Sequence, residues 1–319
     1  MGDMNLIQSF IEDYKSNSET ITVRTSGSTG ESKVFDVEKY RLKNSALRTL
    51  KYFNLRSGDK VLMCMSPLYI AGKMMLVRAI EGKLNLFLAK PCSDPSHYLY
   101  QKYDFASLVP MQVQHIIQSQ EVGQIKQLLV GGGKVNNDII SQIKKFKTQV
   151  FESFGMTETL THFAIKQISP NYSEWFKTID GFEIDSNKND ELIIKKNGMI
   201  NSTLKTKDLI KKKSSSEFKW LGRSDNIINS GGIKLIPEEI ERKIVQLISV
   251  KFVLIGVPDN ELGEKIVIVS EKPLKIELEK INKYLSKYEK IKLSKIISKF
   301  PITESGKIKR RELQIILNG

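Results

Sequence analysis

The chain has 319 residues, 40% apolar and 8% aromatic, which suits one large packed domain with a smaller one, or two medium domains, and excludes wholesale disorder. Its formal charge is +14, but only 9 of the 50 basic residues are arginine and the lysines are spread along the chain among Ile and Asn; this argues against nucleic-acid recognition, which leans on bidentate guanidinium groups, and leaves a general attraction for polyanionic small molecules. No run approaches the roughly 18 apolar residues of a membrane span, and residues 1–14 carry Asp3, Glu12 and Asp13 where a secretory signal has a basic stretch and an apolar core.

The first two-thirds alternate short apolar runs with amphipathic stretches. Strands are expected at 61–65, 84–89, 105–109, 127–130 and 149–152, and further ones at 162–167 and 191–195. Between them, 38–53 is a predicted helix with Leu42, Ala46, Leu50 and Phe53 on one face, and 111–119 and 136–147 read the same way. Strand and helix in alternation predict an α/β fold with a mainly parallel sheet. Residues 210–217, Ile-Lys-Lys-Lys-Ser-Ser-Ser-Glu, are expected as an exposed loop or turn. Beyond them, Pro237 opens a predicted helix through 248 with Glu238, Glu239 and Glu241 in its first turns. Strands at 251–257 and 265–270, a helix over 275–290 and a last helix from Lys309 complete a second domain. The division expected is 1–224 and 225–319, and there is no internal repeat.

Cys64, Cys92, His97, His115 and His162 show no metal spacing, so a reducing cytoplasm is the expected location. The chemistry gathers elsewhere. Thr25-Ser26-Gly27-Ser28-Thr29-Gly30 places four hydroxyl residues and two glycines in six positions, with Lys33 after them. Glycines let consecutive amides converge on an anion, and hydroxyls and a lysine add donors for phosphate oxygens. The spacing is not that of a Walker A loop, and taken alone the segment is equally a flexible turn.

Five further segments follow in order. They are Ser153-Phe154-Gly155-Met156-Thr157-Glu158-Thr159, Thr206-Lys207-Asp208-Leu209, Leu221-Gly222-Arg223-Ser224-Asp225, the run Ser230-Gly231-Gly232-Ile233-Lys234 leading to Pro237-Glu238-Glu239-Ile240-Glu241, and Thr303-Glu304-Ser305-Gly306-Lys307-Ile308-Lys309-Arg310. Together with the loop they resemble the motifs of the adenylate-forming superfamily of acyl-CoA synthetases, peptide-synthetase adenylation domains and luciferases. The resemblance runs from Val23 to the end. It implies a large α/β domain with a small α+β C-terminal lid domain, and a carboxylate–CoA ligase that uses ATP, Mg²⁺ and coenzyme A.

The resemblance also implies roles. Thr25, Ser26, Gly27, Ser28, Thr29, Gly30 and Lys33 would hold phosphates, Thr157 the α-phosphate and Glu158 the Mg²⁺. Phe154 and Gly155 would lie by the adenine, with Gly131, Gly132 and Gly133 as another wall, although a plain strand-to-helix turn explains those three glycines equally well. Asp208 would accept from the ribose hydroxyls, with Arg223 beside it. Lys307 would bridge the attacking carboxylate and the α-phosphate, with a solvated basic tail as the rival reading. Asp225 would be the hinge about which the lid turns, and Ser230, Gly231 and Gly232 would line the path of the thiol.

Within the superfamily the middle of the chain is most similar to the o-succinylbenzoate–CoA ligases of menaquinone biosynthesis, through Ser66-Pro67-Leu68-Tyr69-Ile70-Ala71-Gly72-Lys73-Met74-Met75, Ala106-Ser107-Leu108-Val109-Pro110-Met111-Gln112 and the stretch from Gly155 to His162. A substrate with a second carboxylate calls for a cation or amide donors, and Lys73, Gln112 and His115 are the candidates. Three departures stand out. The phosphate loop begins at Thr25, so most of the usual N-terminal subdomain is missing, leaving a compact variant or a site completed by a partner. Ile70 stands where many ligases have histidine, and Lys207 where glycine is usual. Two other readings stay open: an adenylation protein that loads a carrier protein, and a non-catalytic truncated subunit. A homodimer is compatible with each; nucleic-acid and membrane partners are not expected.

Overall fold

The alternating segments of the first two-thirds fold as strands with crossover helices. The computed structural model describes residues 2–24, 34–195, 200, 202–302 and 308–318. The chain divides into two units: Met1–Ile184 with Ile194–Leu204 and Ser214–Glu217, and Asp185–Ile193 with Lys205–Lys213 and Phe218–Gly319.

The first unit opens with α1 (Gly2–Lys15), β1 (Thr20–Arg24), β2 (Val34–Glu38) and α2 (Lys39–Phe53). Then come β3 (Lys60–Met63), α3 (Ile70–Gly82), β4 (Asn85–Leu88), β5 (Tyr103–Leu108), α4 (Pro110–Gln118), β6 (Ile125–Val130) and α5 (Asn137–Ile143). β7 (Gln149–Gly155), β8 (His162–Ser169) and β9 (Phe176–Thr178) follow. The sheet order is β9-β8-β7-β6-β5-β3-β4. The run from β7 to β4 is parallel, and β8 and β9 are antiparallel. A parallel sheet is covered on both faces, which explains the continuous apolar runs. On one face Val113 and Ile116 of α4 and Ile139 and Ile143 of α5 pack on Leu62, Ala106, Leu128 and Val150. On the other, the Phe53 ring of α2 stands 4.9 Å from Phe105 and 5.2 Å from Phe151. Full burial of one such ring contributes about 2–3 kcal/mol.

The predicted apolar face of α2, Leu42, Ala46, Leu50 and Phe53, is the buried one. α5 is shorter than expected. Asn136 caps it by accepting from the Ile139 amide at 2.8 Å, but it ends at Ile143 rather than continuing to 147. The α3 helix went unread because its apolar residues surround the whole helix, leaving no stripe to detect.

β10 (Ile184–Ser186), β11 (Glu191–Ile194), β12 (Leu204–Lys212) and β13 (Glu217–Arg223) lie mostly in the second unit. The predicted loop at 210–217 is corrected here: residues 210–212 continue β12, and only a tight turn joins β12 to antiparallel β13. The unit continues with β14 (Ile228–Ser230), β15 (Ile233–Leu235), α6 (Pro237–Ile244), β16 (Phe252–Asp259), β17 (Gly263–Ser270), α7 (Leu278–Asn282), β18 (Leu293–Ile296) and α8 (Arg310–Asn318). The strands order β15-β14-β17-β16, with β18 parallel to β17. Ile240 and Ile244 of α6 pack on Ile228, Leu254, Ile266 and Ile268, and Leu313 of α8 packs with Val253, Val267 and Phe300 on the opposite face.

The predicted helix over 275–290 contracts to α7. Asn282 donates to the Ile291 carbonyl at 2.9 Å and accepts from its amide at 2.8 Å, turning the chain back. Among the described residues no helix is long and apolar enough to cross a membrane.

Candidate active site

Parallel strands place their following loops at one end of the sheet, where α/β folds carry their sites. In the first unit that end holds Gly131, Gly132 and Gly133 after β6, and the segment 155–161 after β7. The Gly131 amide donates to the Leu108 carbonyl at 3.0 Å, and Ser153 Oγ donates to the Val130 carbonyl at 3.1 Å, so the exits of β5, β6 and β7 are stitched together. At Gly155 the chain doubles back so closely that an added Cβ would overlap the Thr161 carbonyl oxygen and lie 2.6 Å from His162 Cα. Glycine is required there for space.

Thr157 opens a one-turn helix, Thr157–Thr159, and Glu158 is exposed on it. The sequence reading passed over Thr159. Its buried hydroxyl accepts from the Met156 amide at 3.1 Å and reaches the carbonyls of Met156 at 2.9 Å and Thr161 at 2.7 Å, closing the loop on itself. The Phe154 ring, half-buried, stands 5.7 Å from Phe163 and 5.3 Å from Phe176.

Behind this loop lies a buried polar group. Ser45 and Thr161 share a hydrogen bond at 3.0 Å, and Thr49 Oγ1 lies 3.4 Å from His162 Nε2. Burial first, and the charge of Arg78 second, push the His162 imidazole down to about 3, so it is neutral. Arg78 of α3 is only 3% exposed. Its Nη1 reaches the Met75 sulfur at 3.4 Å, while Nε has no hydrogen-bond partner among the described residues. No carboxylate pairs with it there, and burial lowers its pKa to about 10. A buried cation without an acid is costly. Reading the sequence for exposed donors missed it.

The three sequence candidates for a second carboxylate fare differently. Gln112 is held within the fold: its amide donates to the carbonyls of Cys64 at 2.9 Å and Cys92 at 2.8 Å, and its oxygen accepts from the Val109 amide at 3.0 Å. Both donors are used within the fold. Lys73 is half-buried, donates to the Thr22 carbonyl at 2.9 Å and lies 5.3 Å from the Phe10 ring centre; burial lowers its pKa. It therefore ties α3 to β1. His115 is half-buried on α4.

In the second unit Asp208 sits on β12 with its side chain 13% exposed. Trp220 Nε1 donates to Asp208 Oδ1 at 2.9 Å, and Arg223 Nη1 lies 3.9 Å from Oδ2. Arg223 forks onto Asp225 through Nε at 2.9 Å and Nη2 at 2.7 Å; this hydrogen-bonded carboxylate is the first cause of its raised pKa. The hinge candidate Asp225 is thus tied to Arg223. Lys207, in the usual glycine position, pairs with Glu191 at 3.4 Å. Ser230 ends β14, and Gly231 and Gly232 form the turn to β15 with φ of +57° and +78°, conformations that favour glycine.

The expected phosphate holders Thr25, Ser26, Gly27, Ser28, Thr29, Gly30 and Lys33, and the expected catalytic Lys307, lie outside the described residues. Among the described residues no three or more His, Cys, Asp or Glu group to hold a metal. Magnesium, however, takes one or two carboxylates and completes its shell with phosphate oxygens and water, and the exposed Glu158 carboxylate fits that donor chemistry.

Comparison with known proteins adds an independent line. A sequence model of the AMP-binding enzyme family matches residues 17–181. A 2-succinylbenzoate–CoA ligase of Lactococcus lactis is 22% identical over 326 residues, covering 95% of this chain and 72% of the relative. A crystal structure from Dyadobacter fermentans, described as an acyl-CoA synthetase (AMP-forming)/AMP-acid ligase II-like protein, is 32% identical with a TM-score of 0.68 and covers 99% of this chain and 94% of its own. The o-succinylbenzoate coenzyme A synthetase of Bacillus subtilis, solved with ATP and magnesium ion, is 20% identical with a TM-score of 0.77 over 92% of this chain and 69% of its own; it is alike in fold.

Proposed function

The chain belongs to the AMP-binding enzyme family and is an AMP-forming acid–thiol ligase, and from that premise we propose that its acid is o-succinylbenzoate, activated as the acyl-adenylate and passed to coenzyme A in menaquinone biosynthesis. The substrate assignment rests on one observation: Arg78 is a buried guanidinium with an unpartnered Nε and no acid beside it among the described residues. A substrate that carries one carboxylate to react and a second to be recognised supplies the missing counter-charge. The 2-succinylbenzoate–CoA ligase relative supports the same class.

In this reading the acid's carboxylate oxygen attacks the α-phosphorus of ATP and pyrophosphate leaves; the thiol sulfur then attacks the acyl carbonyl and AMP leaves. Both steps bring negative groups together, so fixed donors and cations lower the barrier. Thr25, Ser26, Ser28, Thr29 and Lys33 hold the phosphates, and Thr157 bonds the α-phosphate. Asp208 accepts from the ribose hydroxyls, as a carboxylate with two acceptor oxygens can. Lys307 neutralises the carboxylate and α-phosphate in the first step, and Ser230, Gly231 and Gly232 give the thiol passage in the second. Mg²⁺, held by Glu158, would supply further charge neutralisation at the phosphate oxygens. Residues 225–319 are the proposed lid, with Asp225 as its hinge, and the cytoplasm the proposed location.

The test replaces the guanidinium by an apolar chain of similar length. Arg78→Met should raise KM for o-succinylbenzoate about 100-fold and leave turnover of the monocarboxylate analogue that keeps only the reacting carboxylate nearly unchanged. Equal losses on the dicarboxylate and on that analogue would remove Arg78 from substrate recognition, and the o-succinylbenzoate assignment with it.

A further inference from the structure

Asp208 stands on β12 opposite Arg223 of β13, and the register slips between Leu209 and Ile210, so that Trp220 pairs with Ile210. That irregularity brings the Trp220 indole alongside the Asp208 carboxylate, with Nε1 to Oδ1 at 2.9 Å. The other end of the contact is held too. Arg242 of α6 lies over the Trp220 ring at 6.0 Å and donates to the carbonyls of Trp220 at 3.3 Å and Leu221 at 2.9 Å. On the far side of the carboxylate, Arg223 is 3.9 Å from Oδ2 and keeps its two short hydrogen bonds for Asp225. The Asp208 amide donates to Thr206 Oγ1 at 3.1 Å, fixing the backbone beneath.

The terminal torsion of an aspartate is broad and roughly two-fold, so a carboxylate has no preferred plane unless a neighbour sets one. An indole N–H is a donor only and has one direction. We infer that Trp220 is a positioning residue for nucleotide recognition: its N–H fixes the plane of the Asp208 carboxylate in the orientation from which it accepts from the vicinal hydroxyls of a ribose. Preorganisation of this kind saves the ordering cost that binding would otherwise carry. The inference rests on the reading of Asp208 as the ribose acceptor.

The experiment compares ATP with 2′,3′-dideoxy-ATP, which lacks both hydroxyls, in acid-dependent pyrophosphate exchange by the full chain. Trp220→Phe keeps an aromatic ring beneath Arg242 and removes the N–H. Its KM for ATP should rise about tenfold with kcat within about threefold, as expected when one hydrogen bond to a charged group is lost, while KM for the dideoxy nucleotide stays put. Trp220→His, which retains a ring N–H donor, should recover part of the preference for ATP. Loss of the preference in Asp208→Asn but not in Trp220→Phe would overturn the role of Trp220. Retention of the preference in Asp208→Asn would instead overturn the reading of Asp208, so the two failures are told apart. A purely structural role for Trp220 predicts equal changes for both nucleotides, which also counts against the proposal.

Discussion

Arg78 and His162 are buried behind the loop that carries Glu158, and their electrostatics are coupled. Burial and the arginine charge hold His162 near a pKa of 3, against an ordinary value of 6.5. The folded state therefore leaves the imidazole neutral where the unfolded chain takes up a proton. The stability this contributes is present above pH 6.5 and is lost as the pH falls from 6.5 towards 3, by about 1.4 kcal/mol per unit. Urea unfolding at pH 7.5 and 5.0 should show a drop about 2 kcal/mol larger in the wild type than in His162→Gln. Equal drops would mean that the imidazole does not titrate in this way. Neither residue was recognisable in the sequence as part of a site. A lone arginine inside Met-Met-Leu-Val-Arg-Ala-Ile and a histidine opening a strand carry no spacing signal, and only the fold shows that both are buried and that the Arg78 charge acts on His162. Asp208 and Arg223, by contrast, stand in motifs, and their side chains do lie within 3.9 Å of each other.

Between elements, the junction at the exits of β3 and β4 hangs on Gln112. Three hydrogen bonds from one amide join the carbonyls of Cys64 and Cys92 to the first turn of α4, beside two free thiols that share a hydrogen bond at 3.6 Å. Gln112→Met keeps the volume and strands two carbonyls and an amide, so it should cost about 2–4 kcal/mol in chemical denaturation while leaving KM for the acid unchanged. A stable variant with a raised KM would return Gln112 to the substrate pocket. Elements with one apolar stripe or a clean apolar run, such as α2 and the strands of the parallel sheet, were legible in advance. The failures have local causes: α3 is apolar all round, Lys211 and Lys212 are polar yet paired in a hairpin, and Asn282 stops a lysine- and glutamate-rich stretch that favours helix. Each is a tertiary or side-chain effect that periodicity does not see.

For the whole molecule, the α/β architecture and the ordered motifs agree with the AMP-binding enzyme family, to which the match over residues 17–181 assigns the chain. The chain spans 72% of the length of the Lactococcus relative. The net charge of +14 suits polyanionic ATP and would raise its encounter rate at low salt. The central claim, that an acyl-adenylate of o-succinylbenzoate is formed and handed to coenzyme A, is tested most directly by pyrophosphate exchange into ATP over a panel of aryl and acyl carboxylates, followed by coenzyme A addition and mass detection of the thioester. Exchange that depends on o-succinylbenzoate, with its coenzyme A thioester appearing afterwards, is the predicted result; exchange with no acid in the panel, or exchange that yields no thioester, would contradict it.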